Sequence, residues 1–282
     1  MSRWIKQLGV QFALVAFAAF VGASLWAEEG ETEPATAREA DGDADGAVAP
    51  AAATEPAQAH PLDPEIASAK RRLEALKTRV QEYSCRMIKR ERIGGELRPR
   101  EIIDMKVRHE PFSVFLEFLS PENVKGQQVA YIEGRNDGKM VVRPVGVKGI
   151  FGPVKIRPDG PLAMQDQRYP ITHIGFVRLT EELIAVAEHD RQFGECEVRT
   201  FKGAKIGDRV CTVTEVVHPV ARNEFRFHRA RIFVDDELDI PIRFASWSWP
   251  TEEGGKPVLE EEYTYTNLKL NPGFTDADFT IE

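Results

Sequence analysis

"SVFLEFLS", residues 113–120, carries large apolar side chains on both faces of a strand. Val114, Leu116 and Phe118 follow the two-residue period of a strand, while Phe115 and Leu119 take the opposite face. A sheet with one face in water places polar residues there, so this strand expects cover on both sides. Its neighbours read as a run of hairpins. "YSCRMIKRERI" (83–93), "EIIDMKVR" (101–108), "QQVAYIE" (127–133) and "KMVVRP" (139–144) are the other strands, punctuated by Gly94-Gly95 and by "GRNDG" (134–138).

Two amphipathic helices can supply that cover. Asp63-Pro64 reads as an N-cap followed by Pro at the first helical position, and Ile66, Ala69, Leu73, Leu76 and Val80 then recur at steps of three and four. A second stripe, Phe176, Leu179, Leu183 and Val186, ends near Phe193-Gly194. Between them, residues 145–174 repeat Gly and Pro too often for a regular element and offer Ile150, Phe151 and Met164 as apolar residues. A long loop inside a compact domain reads as a lid. Further hairpins follow: 195–201 with 209–217, "EFRFHRARIFVD" (224–235) with "PIRFASWSW" (241–249) across Asp235-Asp236, and a last strand over 258–270. The expected class is α+β, dominated by an antiparallel sheet of about ten strands with two helices and a lid.

The chain has 282 residues and a formal net charge of −8, unevenly spread. Residues 1–27 hold Arg3 and Lys6, an apolar run from Leu8 to Ala23, and Ala27 before "EEGE", the layout of a signal peptide. The alternative is an uncleaved N-terminal anchor. No Cys precedes Cys85, so lipid attachment at the mature N-terminus is not expected. Residues 28–62 are rich in Ala and Pro, with nine acidic residues, one basic and no aromatic, which reads as a disordered linker. Within it "DGDADG" (41–46) imitates a calcium loop, but Ala52 stands where a bidentate Glu is required. Residues 63–282, the expected folded domain, carry only −2. That balance suggests neither nucleic-acid binding nor strong electrostatic attraction to an acidic membrane. The expected location is periplasmic or secreted.

Cys85, Cys196 and Cys211 are the only cysteines. Cys196 and Cys211 lie symmetrically about a Gly-rich stretch, which favours a Cys196–Cys211 bridge over Cys85–Cys211, against the alternative of three reduced, buried thiols. None has the C-x-x-C spacing or neighbouring His of a reactive thiol. G-x-S-x-G, H-E-x-x-H, P-loop and dinucleotide-binding signatures are all missing from the sequence. His218, His228 and Asp235 lack a metal-ligand spacing, and Glu260, Glu261 and Glu262 read as partners of Arg229, Arg231 or Arg243 on neighbouring strands. No catalytic residue, metal or cofactor is expected, and the protein reads as non-enzymatic.

The C-terminal residues add a family resemblance. In "DDELDIPIRFASWSWP" and "EEYTYTNLKLNPGFTDADFTIE", Asp235, Pro241, Tyr265, Asn271, Asp276 and Phe279 fit a pattern similar to that of the periplasmic lipoprotein carrier LolA and related lipoprotein-sorting domains. "YSCRMIKRERIGGEL", "EPFSVFLEFLSPENVKGQQVAYIEGRNDGK" and "RYPITHIG" resemble a narrower, uncharacterised family of secreted bacterial proteins with such a domain. The resemblance implies a strongly curved antiparallel half-barrel, closed by helices and a loop around an apolar cavity. Val114, Leu116 and Phe118 would line it, with Leu183 on the helix and Ile150 and Phe151 in the lid. The last strand would extend the sheet, and Phe279 would plug the seam that closes it. The expected function is non-catalytic carriage or sensing of a lipid, acyl chain or lipoprotein. The alternative is a protein-interaction module regulating an envelope membrane-protein partner.

Overall fold

The computed structural model describes residues 59–281. The signal-like residues 1–27, the acidic stretch through residue 58 and its "DGDADG" run lie outside the described residues.

The chain starts with α1 (Asp63–Arg79) and continues through β1 (Glu82–Ile93), β2 (Glu96–Leu97), β3 (Glu101–Arg108), β4 (Ser113–Ser120), β5 (Gln128–Ile132) and β6 (Met140–Arg143). After β7 (Val154–Ile156), α2 (Pro161–Met164) and α3 (Phe176–Asp190) come β8 (Glu197–Ile206), β9 (Arg209–Val217), β10 (Arg229–Asp235), β11 (Pro241–Ser248) and β12 (Val258–Leu270). Among the described residues these twelve strands form one open antiparallel sheet in the order β7-β6-β5-β4-β3-β1-β12-β11-β10-β9-β8, with β2 paired to β1 beside that path. Two meanders therefore meet where β1 pairs with β12, from Tyr83 opposite Leu270 to Glu91 opposite Glu261. The expected α+β class holds. The two strands beyond the expected ten are β2 and β7, each too short to give a periodic signal.

One face of the sheet holds the core. Tyr83, Cys85 and Met87 of β1, Ile103, Met105 and Val107 of β3, and Val114, Leu116 and Phe118 of β4 are all buried on it. α3 lies across this face because its first turn is anchored there. The Phe176 amide donates to the Tyr83 hydroxyl at 3.1 Å, the Phe176 ring stacks on Tyr83 at 4.4 Å, and it meets Tyr265 edge-on at 5.0 Å. Gly175 precedes it at φ 112°, where a Cβ would stand 3.1 Å from the Tyr83 hydroxyl. α1 packs beside α3 through the Lys70–Glu188 and Lys77–Glu181 ion pairs, burying Ile66, Leu73 and Leu76. Packing begins ahead of the helix, since Leu62 is buried and a His60 ring nitrogen lies 2.9 Å from the Phe193 carbonyl.

The tail departs from its expected place. β12 extends the sheet from its centre, paired with both β1 and β11, and the chain beyond it crosses the opposite, convex face of β3 and β4. Asn271 holds the crossing: its side-chain oxygen accepts from the Gln81 amide at 2.8 Å, and its amide group donates to the Arg79 carbonyl at 2.9 Å. Buried Glu82 accepts from the amides of Gly273 and Phe274. Asp276 and Asp278 then pair with Arg108 and Lys106 of β3, and hydrogen bonding to Lys106 pulls the Asp278 carboxyl down to about 2. Phe279, 1% exposed, sits beneath the Arg108 guanidinium at 4.9 Å and edge-on to Phe274 at 5.6 Å. Lys106 also lies over the Phe115 ring. The tail is thus part of the second cover that β4 required, and Phe279 caps the convex face instead of a seam.

The Cys196–Cys211 bridge is corrected. The turn of this hairpin is Gly207-Asp208, flanked by Ile206 opposite Arg209, so Ala204 stands opposite Cys211 and Cys196 lies before the far end of β8. At about 3.3 Å per residue that offset far exceeds the span of a disulfide. All three cysteines are free and buried. Burial pushes the Cys85 thiol well up, and burial followed by nearby carboxylates pushes Cys196 and Cys211 up to about 11. Native protein at pH 8 should therefore react slowly with a thiol reagent and yield three thiols on denaturation. A peptide map that links Cys196 to Cys211 would contradict this geometry.

Candidate functional site

The concave face is not filled evenly. Where α1 and α3 leave it, between β3–β7 and residues 144–174, lies a cavity of about 870 Å³. Its apolar wall is built from Leu116, Phe118, Val129, Met140, Val142 and Ile156. These side chains share one face because antiparallel register sets Leu116 opposite Val129, and Val129 opposite Val142. The other wall comes from the segment expected as a lid. It contains more order than its Gly and Pro content suggested, with a 3-10 turn (Gly146–Phe151), β7 paired to β6, the short α2 and a second 3-10 turn (Ile171–His173).

The floor of the cavity is polar. Lys89, Glu91 and Glu101 project onto the concave face in phase with Met87 and Ile103, and Lys89 and Glu91 are buried. The Lys89 ammonium lies 2.8 Å from a Glu101 oxygen and 3.5 Å from Glu91, and it donates to the Gln167 side-chain oxygen from the lid segment. Glu91 accepts from the Tyr263 hydroxyl at 2.5 Å and from the Arg168 amide at 3.1 Å. Arg168 also pairs with Glu260 at 3.2 Å and Glu261 at 3.4 Å, and Ser246 donates to Glu261 at 3.0 Å. Burial, then the charges of Glu91 and Glu261, drives the Tyr263 hydroxyl well above its ordinary value, so it stays a neutral donor. These charges sit in partnered contacts that tie the inner end of the lid to β1, β3 and β12.

Seven residues, among them Leu116, Phe118, Lys89 and Glu91, also border a second space of about 110 Å³ beneath α3. Leu183, Val186 and Phe227 separate that space from a third, of about 410 Å³, under α1 and α3. The open spaces thus run along the concave face from the β7 side toward β9.

Of the residues named from sequence, Leu116 and Phe118 line the first two spaces and Leu183 the second and third. Val114 is fully buried in the core and lines none of the three. Ile150 and Phe151 differ from the expected cover: they are 78% and 84% exposed and are not among the residues that line the cavity. The Glu260–Glu262 stretch divides its partners. Glu262 pairs with Arg243 as expected, Glu260 and Glu261 take Arg168, and Arg229 and Arg231 pair with Glu215 instead. His218 pairs with buried Asp190 at 2.9 Å, and Asp235 pairs with Arg209, so the two do not converge. Among the described residues no group of three or more His, Cys, Asp or Glu side chains is gathered to hold a metal.

A family model described as "Protein of unknown function (DUF1571)" matches residues 80–282. The chain belongs to that family. The matched span takes in the whole sheet, the lid segment and α3, and begins at the last capping residue of α1. It includes the three stretches, 83–97, 110–139 and 168–175, that carried the resemblance to an uncharacterised family. No curated protein matches the sequence. Among solved structures, the lipoprotein LppX of Mycobacterium tuberculosis is similar at 10% identity and a TM-score of 0.44, over 76% of this chain and 98% of that one. LprF of Mycobacterium bovis gives 11% and 0.40, over 76% and 96%. A LolA superfamily protein of Nitrosomonas europaea gives 12% and 0.30, over 76% and 97%. No helix among the described residues is long and apolar enough to cross a membrane.

Proposed function

We propose that the protein is a non-catalytic envelope binding protein that carries or senses an acyl-chain amphiphile. The observation that carries this reading is the cavity of about 870 Å³, apolar on its β4–β6 wall and polar at the Lys89–Glu101 floor. That volume falls within the range of small-molecule sites, about 300–1,000 Å³. An alkyl chain would lie along Leu116, Val129 and Val142, and its polar end would meet the Lys89–Gln167 contact. Export rests on the signal-like residues 1–27.

Each buried methylene is worth about 0.8 kcal/mol, so ten offer roughly 8 kcal/mol before association and ordering costs. Micromolar affinity for a fluorescent long-chain fatty acid is the expected result. Val142 is half-buried on the cavity wall, so Val142→Trp directs its added volume into the cavity. It should weaken uptake by about tenfold or more while leaving the urea midpoint unchanged. Phe151→Ser should leave uptake from solution unchanged, because that side chain is outside the cavity. Wild-type protein that takes up no acyl ligand at any of several chain lengths would defeat the proposal.

A further inference from the structure

The rim of the cavity carries an apolar surface that the fold does not use. Val147, Ile150, Phe151 and Leu162 are 76–84% exposed, and Val154 beside them is 41% exposed. The other large exposed apolar side chains among the described residues, Phe201, Val210 and Val220, are at most 50% exposed and belong to other parts of the chain. Val147 and Leu162 also line the 870 Å³ cavity, so the patch and the cavity share a border.

Charge indicates what covers the patch. Residues 143–157 contain Arg143, Lys148, Lys155 and Arg157 and no acidic residue. Arg157 pairs with Asp159 at 3.0 Å, Arg143 donates to the neutral Gln128 side chain, and Lys155 is exposed beside Val154. The segment keeps net positive charge in a domain whose total is −2. A lone aromatic and branched aliphatics at a turn, flanked by cations, match an anionic lipid interface, where apolar tips enter the acyl boundary and cations meet the headgroups.

We infer that residues 147–162 dock on an anionic lipid surface and turn the mouth of the cavity toward it. This goes beyond ligand binding and has an independent readout. In the full-length chain, Phe151→Cys is labelled with an environment-sensitive dye, and Val220→Cys serves as the exposed control. The native thiols are buried and protonated at neutral pH, so they compete poorly for the label. On vesicles of phosphatidylcholine and phosphatidylglycerol, the dye at position 151 should shift to the blue, and the dye at 220 should not. Partitioning should rise with the phosphatidylglycerol fraction and fall with salt. Ile150→Ser combined with Phe151→Ser, followed by a dye at Leu162→Cys, should reduce partitioning by about tenfold or more. A dye at 151 that stays aqueous, equal shifts at 151 and 220, or indifference to anionic lipid would each overturn the inference. Attachment through residues 1–27 alone would leave both dyes in water. Fatty-acid uptake from solution is measured apart from vesicles, so failure of docking and failure of the cavity reading are told apart.

Discussion

Phe279→Ala should lower the unfolding free energy by about 3–5 kcal/mol, the cost of deleting a buried aromatic ring that its surroundings cannot close over. The ring is 1% exposed and lies on the convex face, outside the main core. Its loss uncovers β4, where Phe115 is shielded by the Lys106 side chain, and it loosens the end of the tail, which beyond the Asn271 and Glu82 hydrogen bonds is held only by surface pairs from Asp276 and Asp278. Such pairs contribute little by themselves, about 0–1 kcal/mol each, so the ring carries the clamp. Urea denaturation measures the change. Phe274→Ala, at a half-buried position, should cost less. Equal costs for the two rings would contradict the geometry of the tail.

Lys89→Met should cost a comparable amount, about 3–5 kcal/mol, for a different reason. The ammonium is the cation that Glu91 and Glu101 share, and removing it leaves buried Glu91 and partly buried Glu101 without that cation. The same change frees Gln167, so the inner end of the lid loses one of its ties to β1. Adding Glu101→Gln removes one of the two stranded charges, and the double variant should recover part of the loss, giving clear non-additivity. A loss below about 1 kcal/mol for Lys89→Met would mean that the network is solvated and behaves as a surface pair.

Much of this architecture is visible in the chain. The two-faced β4 strand implied cover on both sides, and the structure supplies the concave core on one side and the C-terminal tail on the other. Asn271, Asp276 and Phe279, the residues of the resemblance, prove to be the fasteners of that tail. The polar floor escaped notice, yet its signal was present. Lys89 and Glu91 fall in phase with Tyr83, Cys85 and Met87, and Glu261 with Tyr263 and Tyr265, so each strand set charge on its buried face. Which carboxylate meets which cation was not legible, because Arg168 comes from the lid and periodicity carries no tertiary position. The cysteine pairing failed on turn placement. Gly203 marks a bulge, whereas the two-residue turn is Gly207-Asp208, and that shift moves the partner of Cys211 to Ala204. Ile150 and Phe151 misled because apolar character in a loop suits an inward plug and an outward patch equally well.

In the proposed binding mode an acyl chain lies against the β4–β6 wall. A fatty acid bearing a diazirine in its chain, bound to the protein at micromolar concentration and photolysed, reports that position directly by peptide mass spectrometry. Adducts are expected on the peptides that carry Leu116–Phe118, Val129 and Met140–Val142, reduced in Val142→Trp. Adducts confined to residues 147–154, or gathered around Ile66 and Ile184 beneath the helices, would contradict it.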